Sequence, residues 1–362
     1  MRVGYEVTGL ELDAAGSARY IESLRPELER IDGIEVVPLR QDGGPGGRVL
    51  RGLRRELLYF PFELPRRARQ LGLDVLHCTA AVAPVRSSVP TVITLHDVLG
   101  LEHPEWFTGA LALHARLVLA PAVRRASVVL VPSTYTRDRV VDRLRVDPQR
   151  VRLAPLGIDE RFSPGEPRDG LRERFGLAGP FVLTVGTLQP RKNIEAALNA
   201  FERVVASGAE HRLAIVGGRG WRDEPLADLI QSSAAAERIV MTGRVTDDDL
   251  IGLYRAADVF VFPSRYEGFG FPPLEAMACG TPVVSSNRTS LPELIGDAGL
   301  LVDPDDVDAI ERELSALLAS PEPREELVER GRRRAAEFTW RRCAELTAEA
   351  YRAALRRKEG LA

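Results

Sequence analysis

LTVGTLQPRKN, residues 183–193, is a short apolar, β-branched run that ends in a glycine turn and then delivers two adjacent cations to the start of the next amphipathic stretch. A brief apolar run bounded by turn residues reads as a buried strand, and a strand feeding a helix through a glycine turn is half of a parallel βαβ unit. The same rhythm recurs on both sides. Residues 75–77, 91–95, 127–131 and 151–155 read as buried strands before it, and 212–216, 239–242, 259–261 and 281–285 after it. Such alternation predicts α/β architecture with parallel sheets and crossover helices. Residues 158–170, IDERFSPGEPRDG, break the rhythm with two prolines and two glycines, which predicts a linker between two doubly wound halves. Both halves open alike, 3–8 leading to Gly16 and 181–185 leading to Gly186.

The length of 362 residues accommodates two domains, each with its own core. Lys and Arg number 49 against 52 Asp and Glu, a net −3 with no cationic excess for holding nucleic acid. Cys78, Cys279 and Cys343 lie far apart without a C-x-x-C pair, so neither a disulfide scaffold nor a structural zinc is expected, and a reducing cytoplasm fits. The opening MRVGYEVTGL lacks the apolar core of a signal peptide, and 110–123 is too short and too charged to span a membrane. In open α/β sheets ligands bind outside the carboxyl ends of the strands, so the site is expected in a cleft between two facing units.

Residues 265–282, RYEGFGFPPLEAMACGTP, bracket a Gly-Phe-Gly turn with Glu267 and Glu275, seven residues apart. With Pro273 as the first residue of a helix, Glu275 is expected in the first turn, and the amides of 269–271 would form a positively polarised helix start. Two carboxylates beside an anion site point to hydroxyl recognition. The alternative is a Glu275 that only complements the helix dipole and a solvated Glu267. Arg191 and Lys192 suit a diphosphate. Of the 49 cationic residues, 47 are Arg, and the two lysines are Lys192 and Lys358. A Lys at this turn points to a need for a compact ammonium where a planar fork would not fit.

In TLHDV, residues 94–98, a strand end carries His96 and Asp97 to the ligand side of the first half, as sugar or phosphate contacts or as plain structural hydrogen-bonders. The loop 13–19, DAAGSAR, precedes a helix and offers Gly16 for close approach. Asp247, Asp248 and Asp249 contain the Asp-x-Asp spacing of metal-dependent nucleotide-sugar enzymes. However, Thr246 and Asp249 form a capping box before an apolar-periodic helix, so no metal is expected there. Gly217-Gly218-Arg219-Gly220 resembles a dinucleotide loop without its full glycine order and reads as cleft lining.

Together, Glu267/Glu275, GTLQPRKN at 186–193, GRVTDDDLIGLYRAADVFVFPS at 243–264 and ACGTPVV at 278–284 resemble the retaining GT-B glycosyltransferases of family 4 over nearly the whole chain. VRLAPLGIDERF, 151–162, is similar to the segment that closes the first domain in that family, with Leu156 where Asn is usual. The resemblance implies two facing Rossmann-like domains with an interdomain cleft: an acceptor-binding domain over 1–165, joined by a returning helix of about 339–362, and a donor-binding domain over 166–338.

It implies Arg191 and Lys192 on the donor diphosphate, Glu275 on the ribose, and Glu267 with the Phe269 and Gly270 amides on the sugar hydroxyls. Gly186, Thr187, Gly268 and Phe271 would line the same donor site, with His96 near the transferred sugar and Asp97 and Gly16 beside it. The donor would be a nucleoside diphosphate sugar, GDP-mannose favoured by the PRKN turn, with no cofactor. The acceptor would be a glycan or lipid-linked sugar of envelope polysaccharide. Residues 48–69, with seven Arg and Tyr59, Phe60 and Phe62, could rest on an anionic membrane or be a solvated basic helix. Two other functions remain compatible, a GT-B sugar-nucleotide isomerase or hydrolase, and a non-catalytic sugar-nucleotide sensor.

Overall fold

Strands covered on both faces read as unbroken apolar runs, and VVLV at Val128–Val131 and VFVF at Val259–Phe262 are such runs, every residue buried. The computed structural model describes residues 1–11, 15–41, 52, 54–79, 82–106, 113, 115–218, 224–358 and 360. The chain divides into two units, Met1–Gly157 with Thr339–Ala362, and Ile158–Phe338. In the first, strands β1 (Arg2–Glu6), β2 (Glu35–Leu39), β3 (Val75–Cys78), β4 (Thr91–Thr94), β5 (Val128–Val131) and β6 (Val151–Leu153) pair in parallel in the order β2-β1-β3-β4-β5-β6. The direction of winding reverses between β1 and β3. Helix α1 (Ala15–Glu29) follows β1, and α2 (Thr134–Leu144) starts on Ser133, whose hydroxyl accepts the Thr136 amide.

The second unit repeats the plan with β7 (Phe181–Val185), β8 (Arg212–Val216), β9 (Ile239–Gly243), β10 (Val259–Phe262), β11 (Val283–Ser286) and β12 (Leu300–Val302), ordered β12-β11-β10-β7-β8-β9 and again parallel. Its winding reverses between β7 and β10, so the carboxyl ends of those two strands define the crevice where such sheets bind ligands. Helix α3 (Ile194–Ala206) packs Ile194, Ala197, Leu198, Phe201 and Val204 on the sheet. Helices α4 (Asp247–Ala256), α5 (Phe271–Cys279), α6 (Val307–Ala319) and α7 (Pro321–Ala335) belong to the same unit.

Residues 158–165, which the resemblance groups with the first domain, fall in the second unit. Arg255 donates from Nε to the Ser163 carbonyl at 2.8 Å, Arg161 pairs with Asp247 at 3.0 Å, and Phe162 meets the Tyr254 ring edge-on. The last helix, α8 (Trp340–Lys358), returns to the first unit. There Tyr351 hydroxyl sits 2.7 Å from Nδ1 of the fully buried His77, whose Nε2 is 2.8 Å from Thr94 Oγ1, itself 2.8 Å from Tyr20 hydroxyl. Burial lowers the His77 pKa to about 3, so this chain of hydrogen bonds works with a neutral imidazole.

The division of the chain also separates charge. The first unit holds 28 Lys and Arg against 21 Asp and Glu, net +7, and the second 21 against 31, net −10. All three cysteines are free and buried, and burial pushes the Cys279 and Cys343 thiols up to about 12. Among the described residues no helix is long and apolar enough to cross a membrane.

Candidate functional site

β7 ends at Val185, and the turn that follows is held from behind: Gly186 N–H donates to Val216 carbonyl at 2.9 Å, and Leu188 N–H to Gly218 carbonyl at 3.1 Å. A Cβ on Gly217 would run into the Gly186 carbonyl, which accounts for that glycine without any nucleotide; Arg219 and Gly220 of the same run lie outside the described residues. Thr187 is half-buried. A short 3-10 turn, Pro190–Lys192, then leads to Asn193 at φ 53, whose Nδ2 donates to Pro304 carbonyl at 2.6 Å before α3 begins. Asn is among the few residues that adopt this left-handed backbone readily.

This turn sets Arg191 and Lys192 beside the residues leaving β10. Lys192 Nζ donates to Glu267 Oε1 at 2.6 Å, and Ser264 hydroxyl donates to the same oxygen at 2.7 Å. Arg191 donates from Nη1 to Glu267 Oε2 and to Tyr266 carbonyl, both at 3.0 Å, and from Nε to Gln189 Oε1 at 3.1 Å. Glu267 is therefore not a solvated carboxylate but the buried counter-ion of both cations. Burial opposes charge on all of these groups. On Glu267, Arg191 and Lys192 outweigh burial and hold the carboxyl at about 2. On Lys192, burial outweighs the attraction of Glu267, with Arg191 adding repulsion, and draws the ammonium down to about 8.

The lowered pKa predicts a pH dependence. Lys192 is charged below about 8 and loses its proton above it, and the expected role of Lys192 on a diphosphate needs the charged form. Affinity for a nucleoside diphosphate should be level from pH 6.5 to 7.5 and fall by up to about tenfold per unit above pH 8. Calorimetric titration across this range is the check. An unchanged affinity at pH 9 would mean that Lys192 does not face the phosphates, and Lys192→Arg should abolish the dependence.

Gly270, at φ 122, turns the chain into α5, a conformation open to glycine, and the helix begins at Phe271 with Pro272 and Pro273 both in its first turn. Glu275 accordingly lies in the second turn, not the first, because prolines fill positions whose N–H groups have no helical partner. It is almost fully buried, and its Oε2 accepts the Tyr254 hydroxyl at 3.1 Å. Tyr254 comes from α4, whose start is the Thr246 hydroxyl accepting the Asp249 amide at 3.2 Å. Asp247, Asp248 and Asp249 pair respectively with Arg161, Arg168 and Arg174. The capped helix thus reaches the site through Tyr254 rather than through its aspartates. Gly268 is buried, and the Phe269 ring lies edge-on against Phe271 and Phe338. Ser290 hydroxyl lies 2.9 Å from Glu267 carbonyl and 2.6 Å from Phe269 carbonyl.

Sequence reasoning overlooked Ser264, Tyr254 and Ser290. Ser264 carried a usable signal, a lone polar residue just after a fully apolar strand.

His96, Asp97 and Gly16 belong to the first unit. His96 Nε2 is 3.2 Å from the Thr79 carbonyl, and because a carbonyl only accepts, Nε2 carries the proton and Nδ1 is left as an acceptor. Burial lowers its pKa against the pull of Asp97 and the Thr79 carbonyl. Asp97 Oδ1 accepts the Leu99 amide at 3.0 Å, a turn cap. Gly16 is not in a loop: it is an exposed residue inside the first turn of α1, with open space where a Cβ would stand, while Asp13 and Ala14 lie outside the described residues.

Known proteins carry the same arrangement of chain. The family described as glycosyl transferases group 1 matches residues 171–334, and glycosyltransferase family 4 matches 14–162. The chain is 35% identical over 350 residues to O-antigen chain mannosyltransferase B of Escherichia coli, covering 92% of each. It is 31% identical over 270 residues to the serotype-specific mannosyltransferase WbdA of E. coli, covering 72% of this chain and 33% of that longer one. Its fold superposes on Anabaena Alr3699/HepE, solved in complex with UDP-glucose, with a TM-score of 0.76 at 20% identity, over 96% of this chain and 98% of that one. With the cation–carboxylate cluster at the switch point of its second sheet, the chain belongs to the group 1 and family 4 glycosyltransferases, GT-B enzymes that transfer a hexose from a nucleoside diphosphate sugar.

Proposed function

We propose that the chain is a retaining, metal-independent mannosyltransferase that uses GDP-mannose to extend a glycan or lipid-linked acceptor of envelope polysaccharide. The observation that carries this reading is the buried cluster of Arg191, Lys192 and Glu267, in a chain that matches a mannosyltransferase across 92% of both lengths. The second unit binds the donor and the first the acceptor. Lys192 has three N–H donors, one committed to Glu267, so two can reach phosphate oxygens while the carboxylate keeps the ammonium aimed. Arg191 supplies a second cation. Glu275, steadied by Tyr254, takes ribose hydroxyls; Glu267 and the Phe269 and Gly270 amides take sugar hydroxyls, and Gly186 and Thr187 line the diphosphate. His96 offers Nδ1 to a hydroxyl of the transferred sugar, with Asp97 and Gly16 near it.

In the reaction the bond from sugar C1 to the phosphate oxygen breaks and a bond from C1 to the acceptor oxygen forms on the same face. The acceptor proton passes to the departing phosphate, whose charge the two cations stabilise. Three Arg partners occupy the aspartates of α4, which supports turnover without a divalent ion. The test is turnover of GDP-mannose and of UDP-sugars in excess EDTA, with the product anomer read by NMR. Retained configuration with GDP-mannose is expected. Turnover of a UDP-sugar alone, dependence on added Mn, or an inverted product would each overturn the corresponding part.

We place the enzyme in the cytoplasm, at the inner face of an anionic membrane. Support comes from the net +7 of the first unit and from its π-helical segment Arg55–Glu63, which exposes Leu57, Leu58 and Phe62, the last at 68%, next to Arg66 and Arg69. Residues 48–51 and 53 of the basic stretch lie outside the described residues. Co-sedimentation with phosphatidylglycerol vesicles at low salt, and its loss on neutral vesicles or in Phe62→Asp, is expected; no binding to the anionic vesicles would refute a membrane site.

A further inference from the structure

Among the described residues, the non-glycine positions with positive φ are Arg145, Asn193 and Thr289. Arg145 ends helix α2 as its C-cap, and Asn is suited to this region. Thr289 is different in kind, because a β-branched residue at φ 59 is a genuine outlier. A glycine would make the same turn without strain, so the turn alone does not call for threonine. What threonine adds is a hydroxyl, and that hydroxyl is engaged as donor and as acceptor: Oγ1 donates to the Arg288 carbonyl at 2.8 Å and accepts the Glu267 amide N–H at 3.1 Å. The neighbouring Ser290 hydroxyl lies within hydrogen-bond distance of the Glu267 and Phe269 carbonyls. Two consecutive hydroxyls from the loop after β11 therefore grip both ends of the Glu267 peptide, while Lys192, Arg191 and Ser264 grip its side chain.

Backbone strain that persists where a relaxed residue would serve is characteristic of sites that need a fixed geometry. We infer that Thr289 is a positioning residue for glycosyl transfer: its strained backbone aims Oγ1 at the Glu267 amide and sets the 267–270 loop against the donor sugar. The inference rests on the reading that this loop binds the sugar. It predicts that stability and activity part company at one residue, which a purely structural threonine would not do.

The experiment compares Thr289→Gly, Thr289→Ser and Thr289→Val with wild type in the full chain, and Glu267→Gln alongside. Melting temperature, calorimetric affinity for GDP alone, and kcat and KM for GDP release from GDP-mannose are measured. Thr289→Gly should melt no lower than wild type yet lose kcat by about tenfold or more, with GDP affinity within about twofold, since a small misplacement of a reacting group is costly in rate. Thr289→Ser, which keeps the hydroxyl, should stay near the wild-type kcat. Thr289→Val, which keeps the strain and loses the hydroxyl, should lose rate and melt lower. Wild-type kcat in Thr289→Gly, or equal losses of kcat and GDP affinity, would overturn the inference. Full turnover in Glu267→Gln would overturn the sugar-loop reading beneath it. A slow Glu267→Gln beside a wild-type Thr289→Gly would refute the role of Thr289 alone.

Discussion

Lys192→Arg should lower turnover by roughly a hundred- to thousandfold, the effect of losing one preorganised donor, about 2.7–4 kcal/mol, at a developing charge. The substitution keeps the charge in a chain with 47 arginines, so net electrostatics does not predict the loss. Space does. Lys192 is buried, and its stem passes so close to Gly186 that a Cβ there would stand 3.3–3.5 Å from its methylenes. Its ammonium lies 4.9 Å from the centre of the Phe262 ring and 2.6 Å from Glu267. A longer, planar guanidinium can satisfy Glu267 but cannot also follow charge onto the leaving oxygen from the same slot. Affinity for the sugarless nucleotide should change by less than about tenfold, since ground-state attraction survives. Steady-state kinetics beside nucleotide titration decides the matter. Wild-type turnover in Lys192→Arg would remove Lys192 from the machinery.

The second large effect separates the two glutamates. Glu267→Ala leaves two cations without their buried counter-ion, which should cost about 3–5 kcal/mol of stability and at least a hundredfold in turnover. Its affinity for a nucleoside diphosphate without the sugar should nevertheless hold or rise, because in the proposed scheme the released cations still face the phosphates. Glu275→Ala should do the reverse. It removes a carboxylate that hydrogen-bonds Tyr254 and, in the proposed scheme, the ribose; affinity for the same nucleotide should fall by about tenfold or more, the scale of a hydrogen bond to a charged group. Calorimetry on both variants, with urea unfolding to follow stability, reads the contrast directly. Equal losses of nucleotide affinity would refute this division of roles.

What the sequence by itself determined was local. Strand positions, the glycine turn before Arg191, the Thr246 cap and the glutamate spacing all follow from β-branched runs, turn residues and capping patterns that act within a few residues. Short-range signals also set the errors. β2 went unread because Pro38 interrupts its apolar pattern, a residue tolerated there because β2 is an edge strand, and the short β12 also went unread. Glu275 was placed one turn too early because two successive prolines leave the helix start ambiguous.

Only the tertiary structure decided which of these local features meet. The order of the second sheet sets β7 beside β10, and so brings Glu267 onto Arg191 and Lys192 across 76 and 75 residues of chain. The same packing seats Tyr254 against Glu275 and Thr289 under the Glu267 amide. No periodicity encodes such meetings, because they depend on strand order and on buried groups finding partners after the chain has collapsed. The charge separation hidden in a net −3 is of the same kind: the residues were legible, but their division into net +7 and −10 depends on where the chain's last helix returns.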